Sequence, residues 1–379
     1  MERRDRLLGE SLMLAALRGS LDRLLGRGTS AVTVPPLDGA LKPNNLLENA
    51  PVAIDVPAPD NIVAGPLGPM FTSGGRVLRL DQAGGGEPVA VMTAAGSVTA
   101  MARASSGLLA VASDAGGIVL YDEGGGSRTL SSSSAKALSC VTAMDFADER
   151  TLLVCIGSTE NPIGDWQRDL LSSGRSGSVW RFDIGSGGAT QLAGGLGFPN
   201  GILAEPDGQI VVSESWGKRL VRIGAGRQAA GPVLEDLPGY PARLSRSARG
   251  GYWLSVFAPR SQLIEFIMRE PAYRKAMMAE VDPAYWVAPA LRSGMSFHEP
   301  MQGGALKQMG ILKPWAPTRS YGLVIELDGT FEAVRSMHSR AGGRRHGITS
   351  AMERDGVLWI ASKGGDQVVA LDPGSDGMK

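Results

Sequence analysis

The chain has 379 residues, which is enough for one large domain or two ordinary ones, and its formal net charge is zero. A neutral chain gives no global electrostatic reason to expect nucleic-acid binding. The two cysteines, Cys140 and Cys155, exclude a disulfide scaffold; we expect buried free thiols, with one hairpin-stabilising disulfide as the alternative. Glycine occurs 52 times, roughly double its average usage, which favours an all-β fold with many reverse turns.

The first residues are predicted to form an amphipathic helix, over residues 1–30. Leucines between Leu7 and Leu25 fall near one helical face, and Gly28 is a helix-ending residue. Residues 1–28 are either a peripheral membrane anchor or a contact to the rest of the chain or to a partner subunit. No stretch has the apolar length of a transmembrane segment, and no convincing signal-peptide cleavage site follows, so a cytoplasmic location is expected.

Residues 31–50 are rich in proline, asparagine and glycine and are predicted to be a linker. An isolated strand follows at Pro51–Val56. The last repeat described below ends near Asp372 and leaves no room for a further strand. Because an open ring of sheets would expose a strand edge, we predict that Val52–Val56 supplies the outer strand of the final sheet.

One short pattern occurs six times after residue 51, as apolar residues alternating with polar ones and usually closed by an acid. A second apolar run and a tight-turn signal precede most copies. Units of several short strands that recur at about 40 to 45 residues are typical of β-propeller blades. The sequence therefore predicts an all-β, six-bladed propeller over residues 51–373. The copies are Arg76–Asp81, Ile118–Asp122, Ser178–Asp183, Arg219–Ile223, Gly322–Asp328 and Gln367–Asp372.

Two insertions interrupt the period of the repeat. The first covers Ser158–Gly177 and has a possible short helix around Trp166–Leu171. The second lies in blade five, at about residues 258–318, with helical character at Ser261–Met268 and Pro271–Glu280. A long insertion in a compact fold commonly serves as a lid or a partner surface, so we predict a lid over one mouth of the central channel.

Several segments resemble the strictosidine synthase-like proteins, which are relatives of the gluconolactonase and paraoxonase propellers. The resemblance covers roughly Pro51–Asp372 and implies a six-bladed propeller, in agreement with the repeats. It also implies a pocket in the central channel. The segments are GFPNGI at Gly197–Ile202, LPGYP at Leu237–Pro241, YGLV at Tyr321–Val324 and the helical stretch Pro259–Lys275.

In hydrolytic relatives a divalent cation, usually calcium, sits in the channel and polarises an ester or lactone carbonyl. The resemblance places the metal-ligand positions at Asp60, Asn200, Thr142 and the pair Ala242–Arg243. Asp60 and Asn200 keep oxygen donors, and turn chemistry is their alternative role. Ala242 cannot ligate a metal and Arg243 brings a positive charge, so calcium binding is expected to be weak or absent.

Candidate catalytic residues follow from the same positions. We predict that the Arg243 guanidinium stands where the cation would stand and binds a carboxylate or an oxyanion; a solvated turn residue is the alternative. Thr349 falls where the plant synthases have their catalytic glutamate, so the resemblance does not carry the condensing activity. His346 is a candidate general base or else a surface-loop histidine. The predicted substrate contacts are Tyr240, Asn200 and His298.

The leading functional prediction is a hydrolase of a small ester or lactone, acting in the central channel. Two alternatives stay open: a non-catalytic propeller that binds a small ligand or a protein, and a synthase or lyase of specialised metabolism that lacks the plant glutamate. A separate carboxylate, Glu214, ends a buried strand and is predicted to pair with Arg219 or Arg222 for structural reasons.

Overall fold

The structure is a computed structural model that describes residues 34–81, 86–130, 138–224, 231–296, 298–300, 307–308, 311–312 and 319–374. The predicted N-terminal helix at residues 1–30 lies outside the described residues, as do parts of the second insertion. No helix among the described residues is long and apolar enough to cross a membrane.

Six four-stranded antiparallel sheets form the blades, and the prediction of a six-bladed propeller is confirmed. Strand β1 (Val52–Asp55) precedes the blades in sequence. Blade one has β2 (Pro59–Ala64), β3 (Pro69–Ser73), β4 (Arg76–Arg79) and β5 (Val89–Thr93). Blade two has β6 (Val98–Arg103), β7 (Leu109–Ser113), β8 (Ile118–Tyr121) and β9 (Ser127–Leu130). Blade three has β10 (Val141–Asp148), β11 (Thr151–Ile156), β12 (Gly177–Asp183) and β13 (Ala189–Leu196).

The last three blades continue in the same order. Blade four has β14 (Pro199–Ala204), β15 (Ile210–Glu214), β16 (Arg219–Ile223) and β17 (Gly231–Leu234). Blade five has β18 (Gly239–Arg246), β19 (Tyr252–Pro259), β22 (Gly322–Leu327) and β23 (Ala333–Ser339). Between β19 and β22 in the sequence, β20 (Lys307–Gln308) and β21 (Ile311–Leu312) form a separate short hairpin. Blade six has β24 (Ile348–Arg354), β25 (Val357–Ser362) and β26 (Gln367–Leu371).

Each copy of the repeated pattern is the third strand of its blade. These strands are largely buried because neighbouring blades cover both faces of a sheet; all six residues of β22 are buried, for example. Branched apolar residues suit such positions. The pattern therefore marks one largely buried strand of every blade, although the second strand is buried further in several of them, as β15 is beside β16.

The ring closes through the N-terminal strand, as predicted. Strand β1 pairs antiparallel with β26, so that Val52 lies opposite Ala370 and Asp55 opposite Gln367. The Gln367 amide also donates to Asp55 Oδ1 at 2.8 Å. This pairing gives blade six its fourth strand and covers the edge of β26, which would otherwise be exposed.

The predicted linker is partly a packed segment. Leu47 is fully buried, the Asn44 amide donates to the Ser336 carbonyl at 2.8 Å, and Glu48 accepts from the Ser339 hydroxyl at 2.6 Å. These contacts fasten residues 44–48 to the outer strand of blade five.

The first strand of each blade lies innermost, next to the central channel. Both insertions leave the propeller on the face where these innermost strands begin. Pairing of Ile156 with Val141 and of Pro259 with Gly239 places the two exits there. The helices have nearly the predicted bounds: α1 (Trp166–Leu171) lies in the first insertion, and α2 (Gln262–Ile267) and α3 (Pro271–Glu280) lie in the second. Short 3₁₀ turns occur at Gly39–Leu41, Ile163–Asp165 and Pro283–Tyr285.

The second insertion crosses this face from blade three to blade six. Near α1, the Gln167 amide donates to the Pro289 carbonyl at 2.7 Å. Near blade six, Arg292 pairs with Asp366 at 2.9 Å. The course of these residues is compatible with the predicted lid, whose gating role stays a prediction.

Two further predictions about buried groups are confirmed. Glu214 is fully buried and accepts from Arg219 Nε at 2.6 Å and from the Gly197 backbone N–H at 2.8 Å. Cys140 and Cys155 are buried free thiols, and burial raises the pKa of Cys140 to about 11. These groups have structural roles.

The closing strand provides the first testable prediction. Deleting residues 1–30 should leave a cooperative thermal unfolding transition, because the closing strand and the Leu47 contacts lie after residue 30. Deleting residues 1–57 should abolish cooperative unfolding, because it exposes the backbone donors and acceptors of β26. Thermal melts followed by circular dichroism measure both effects. Deleting residues 1–50 is the control, because it removes the Leu47 contacts and keeps strand β1. A soluble 58–379 fragment with a cooperative transition would contradict the prediction.

Candidate functional site

The first strand of each blade, which lies innermost, has a register shift near its start relative to the strand beside it. Pairing passes over Thr99 in blade two, and the equivalent shift occurs at Thr142, Asn200 and Thr349. In blades one and five the shift lies between Asp60 and Val63 and between Pro241 and Leu244. Such bulges turn backbone and side-chain groups away from the sheet plane. We call the six positions Asp60, Thr99, Thr142, Asn200, Arg243 and Thr349 the channel ring.

Arg243 reaches from blade five to four other blades of the channel ring. Its Nη1 donates to Asp60 Oδ1 at 2.5 Å and to the Thr349 carbonyl at 3.3 Å. Its Nη2 donates to the carbonyls of Thr99 and Thr142 at 2.9 and 3.0 Å. The side chain is only 14% exposed. One guanidinium therefore connects blades one, two, three, five and six.

Asp60 is the counter-charge of this guanidinium. Burial by itself would raise the pKa of Asp60, but the charges of Arg243 and Lys363 outweigh burial and lower it to about 2. Lys363 Nζ contacts the second carboxylate oxygen at 2.9 Å. Asp60 is therefore ionised at neutral pH, and both of its oxygens face cationic partners.

The residues present do not fit calcium at the channel ring. Calcium binds six to eight oxygens, several of them anionic, whereas both Asp60 oxygens and the Thr142 carbonyl already accept from Arg243 or Lys363. The Thr142 hydroxyl donates to the Pro199 carbonyl at 2.5 Å. Among the residues that the structure describes, no group of three or more His, Cys, Asp or Glu side chains could hold a metal.

The contacts of His346 lie outside the channel ring. Its Nε2 donates to the Arg340 carbonyl at 3.0 Å, so its Nδ1 accepts from the Ser320 hydroxyl at 2.8 Å. Burial lowers the pKa of His346. The imidazole is therefore neutral at pH 7, and both of its nitrogens have partners within the protein.

The predicted substrate contacts lie in three different environments. Tyr240 is fully buried, with its ring 5.9 Å from that of Trp216, and burial raises its pKa well above the usual value. His298 lies on the second insertion, 5.6 Å from the Tyr285 ring. Asn200 alone of the three belongs to the channel ring, where it is half-buried.

Two channel residues were not predicted from the sequence. Thr99 holds the same position in blade two as Thr142 in blade three, so a strict alignment of the repeats would have identified it. Lys363 lies in the turn after β25 and reaches Asp60 across 303 residues of sequence. No local pattern marks Lys363.

A cavity of about 560 Å³ opens beside the channel on the same face. It lies between α1, the turn that joins β15 to β16, and α2, so we call it the blade-four cavity. Its volume is within the range of small-molecule sites, roughly 300 to 1,000 Å³. Its lining includes Trp216, Lys218, Arg260, Glu265, Met268 and Arg269.

Comparison with known proteins gives distant relatives. No protein-family model matches the chain. The adipocyte plasma membrane-associated protein of Salmo salar is 26% identical over 220 residues, which cover 55% of this chain and 46% of that protein. Strictosidine synthase-like 10 of Arabidopsis thaliana is 22% identical over 197 residues, 51% and 46% of the two chains. The chain thus spans about half the length of the curated relatives it matches.

Solved structures show the same fold at lower identity. An X-ray structure of a protein assigned as a gluconolactonase has a TM-score of 0.54 and 12% identity, and the match covers 84% of this chain and 91% of that one. Regucalcin of Agrobacterium tumefaciens, a calcium-binding protein, has a TM-score of 0.53 and 13% identity, with 84% and 90% covered. The resemblance predicted from the motifs is confirmed: the chain is a six-bladed β-propeller similar in sequence to strictosidine synthase-like and adipocyte plasma membrane-associated proteins.

Proposed function

We propose that this chain is a non-catalytic propeller that binds a small ligand on its insertion-bearing face. The observation that carries the proposal is the hydrogen bonding of Arg243. Its two terminal nitrogens have four N–H groups, and four acceptors from other blades take them. These donors are therefore committed to the protein itself and not to an ester carbonyl or a developing oxyanion.

The other groups that a hydrolase or a synthase would need also favour the binding alternative. His346 is buried, and its two nitrogens contact the Arg340 carbonyl and the Ser320 hydroxyl, which both lie outside the channel ring. Thr349 contributes its main-chain oxygen to Arg243, and its side chain has no carboxylate. A general base and an electrophile are thus not assembled at the predicted positions.

Turnover assays test the proposal directly. Purified protein should show no lactonase or arylesterase activity above that of the Arg243→Met variant, with phenyl acetate and small γ- and δ-lactones as substrates. Because the compared proteins differ only at the guanidinium, background hydrolysis cancels. Saturable turnover by the wild-type protein would establish a hydrolase instead, and its loss in Arg243→Met would assign the activity to the channel.

Calcium should stabilise a redesigned channel and not the native one. The guanidinium of Arg243 repels a divalent cation, so added CaCl₂ should leave the melting temperature of the native protein unchanged. Ala242→Asp with Arg243→Asn supplies a carboxylate and an amide oxygen, and its melting temperature should rise with calcium because the ion binds only the folded state. Magnesium chloride at the same ionic strength is the control. A calcium-dependent rise in the native protein would oppose the proposal.

The Arg243–Asp60 pair should make stability depend on acid pH. The pKa of Asp60 is about 2 in the folded protein and near 3.8 ordinarily, so its contribution is fully present above about pH 4 and is lost as pH falls through about 2. This difference in the pKa of Asp60 corresponds to about 2 kcal/mol in the free energy of unfolding. Urea unfolding between pH 2 and 5 should show this loss for wild type.

Asparagine at position 60 removes the titrating group and supplies the matched comparison. Asp60→Asn should flatten that part of the pH profile and lower stability at pH 7 by about 3 kcal/mol or more, because it leaves a buried guanidinium unpaired. Asp81→Asn, which removes a carboxylate from the more exposed pair with Arg79, is the control and should change stability little. Equal pH profiles for wild type and Asp60→Asn would show that the pair is not formed.

A further inference from the structure

We propose that the blade-four cavity binds a small organic anion with an aromatic body, of the size of an aromatic carboxylate. The inference rests on the proposed function, because it names the ligand class of a binding propeller. Three features of the cavity carry it: an excess of positive charge, a fixed aromatic wall and a floor held by the largely buried Lys218–Glu265 ion pair.

The excess of positive charge appears when the ion pairs of the lining are assigned. Lys218 pairs with Glu265 at 3.1 Å, and Arg260 pairs with Asp236 at 2.5 Å. Arg260 also lies 3.4 Å from Glu265. These two cations and two carboxylates neutralise one another within the cavity.

The remaining cations are not neutralised in the same way. Arg269 lies at the rim, is exposed and has no ion pair with any described residue. Arg175 is 3.7 Å from Glu214, whose oxygens already accept from Arg219 and from the Gly197 N–H. The third carboxylate of the lining, Glu235, lies 3.8 Å from Arg219, which is not part of the lining. The four cations of the lining therefore exceed its three carboxylates by one, and Arg269 supplies donors for an anion because arginine forms bidentate hydrogen bonds with carboxylates.

The aromatic wall is the indole of Trp216. Its Nε1 donates to Asp169 at 2.7 Å, and its ring stacks on Phe198 with centroids 4.7 Å apart. Both contacts fix the ring, so a ligand would not have to order it. Met268 lies in the same lining and is half-buried, and its flexible thioether side chain adapts to different apolar shapes.

The floor of the cavity is held in place from two elements. Lys218 ends the turn between β15 and β16 with a φ of 48°, a left-handed conformation that is strained for a non-glycine residue. Its Nζ lies over the Tyr240 ring at 6.0 Å and contacts Glu265 on α2. The ion pair therefore ties the strained turn to the insertion and gives the cavity a preorganised polar base.

Three probes that share a naphthyl body and carry an anionic, a neutral or a cationic group test the proposal: 2-naphthoate, 2-naphthylmethanol and 2-naphthylmethylammonium, titrated by calorimetry into the full-length protein. We expect the anion to bind at least tenfold more tightly than the neutral alcohol and the cation most weakly. Arg269→Glu should abolish this preference and leave the affinity for the alcohol unchanged. Arg269 is exposed, so this variant should fold normally.

Two further variants define the site. Arg128→Glu, a charge reversal at an exposed position in the outer strand of blade two, should leave all three affinities unchanged. Trp216→Ala should lower the affinities for the anion and for the alcohol by a similar factor, because it removes the aromatic wall that both ligands would contact. Its melting temperature is measured alongside, and the Arg269→Glu result stands independently if Trp216→Ala unfolds.

The outcomes separate this inference from the proposed function. Equal affinities for the anion and the alcohol, an anion preference that survives Arg269→Glu, or the lack of saturable binding by all three probes would overturn the anion site. The first two results would leave a ligand-binding propeller in place. Lactonase or arylesterase turnover that depends on Arg243 would overturn the proposed function, whatever the naphthyl probes do.

Discussion

The centre of this propeller depends on the interaction between one guanidinium and the starts of the innermost strands. Bulges turn the carbonyls of Thr99, Thr142 and Thr349 to positions where Arg243 reaches all three. Carbonyl oxygens that converge on one point repel one another unless a positive charge lies among them. Arg243 supplies that charge from within the chain, and Asp60 balances it.

An internal cation has consequences that a bound metal does not have. It cannot dissociate, so the contacts between blades do not depend on the concentration of an ion in solution. It also has a fixed planar shape with donors in defined directions, whereas calcium accepts varied coordination. The same contacts carry a desolvation cost, because Asp60 and Arg243 are both largely buried. The pair is thus better understood as fixing the arrangement of the blades than as a large source of stability.

The insertion-bearing face gains its cavity from the order of the blades. Blades three and five carry insertions between their second and third strands, and blade four, which lies between them, has only a tight turn there. A recess between two raised neighbours follows from this arrangement. Trp216 and Lys218 occupy the short turn, so they line the recess together with α1 and α2.

The sequence by itself determined the repeating part of this protein. The recurrence of the short apolar pattern in Arg219–Ile223 and its five counterparts predicted the blades, because branched apolar residues favour strands and strand units that repeat at this spacing are typical of propellers. The closing role of Val52–Val56 followed from the need to pair a sheet edge, and Pro271 marked the start of a helix because proline suits a first turn. These signals are local, so a single stretch of sequence contains them.

Only the tertiary structure decided which distant residues meet. Arg243 contacts Asp60 across 183 residues of sequence and Lys363 reaches it across 303, and no local pattern encodes either approach. The resemblance predicted that Arg243 would replace a cation, but not that its terminal donors would be satisfied by other blades. His346, placed near the channel by its position in the sequence, has its contacts at Ser320 and Arg340. Side-chain direction and partner choice depend on the closed ring, because the groups that meet at its centre come from different blades.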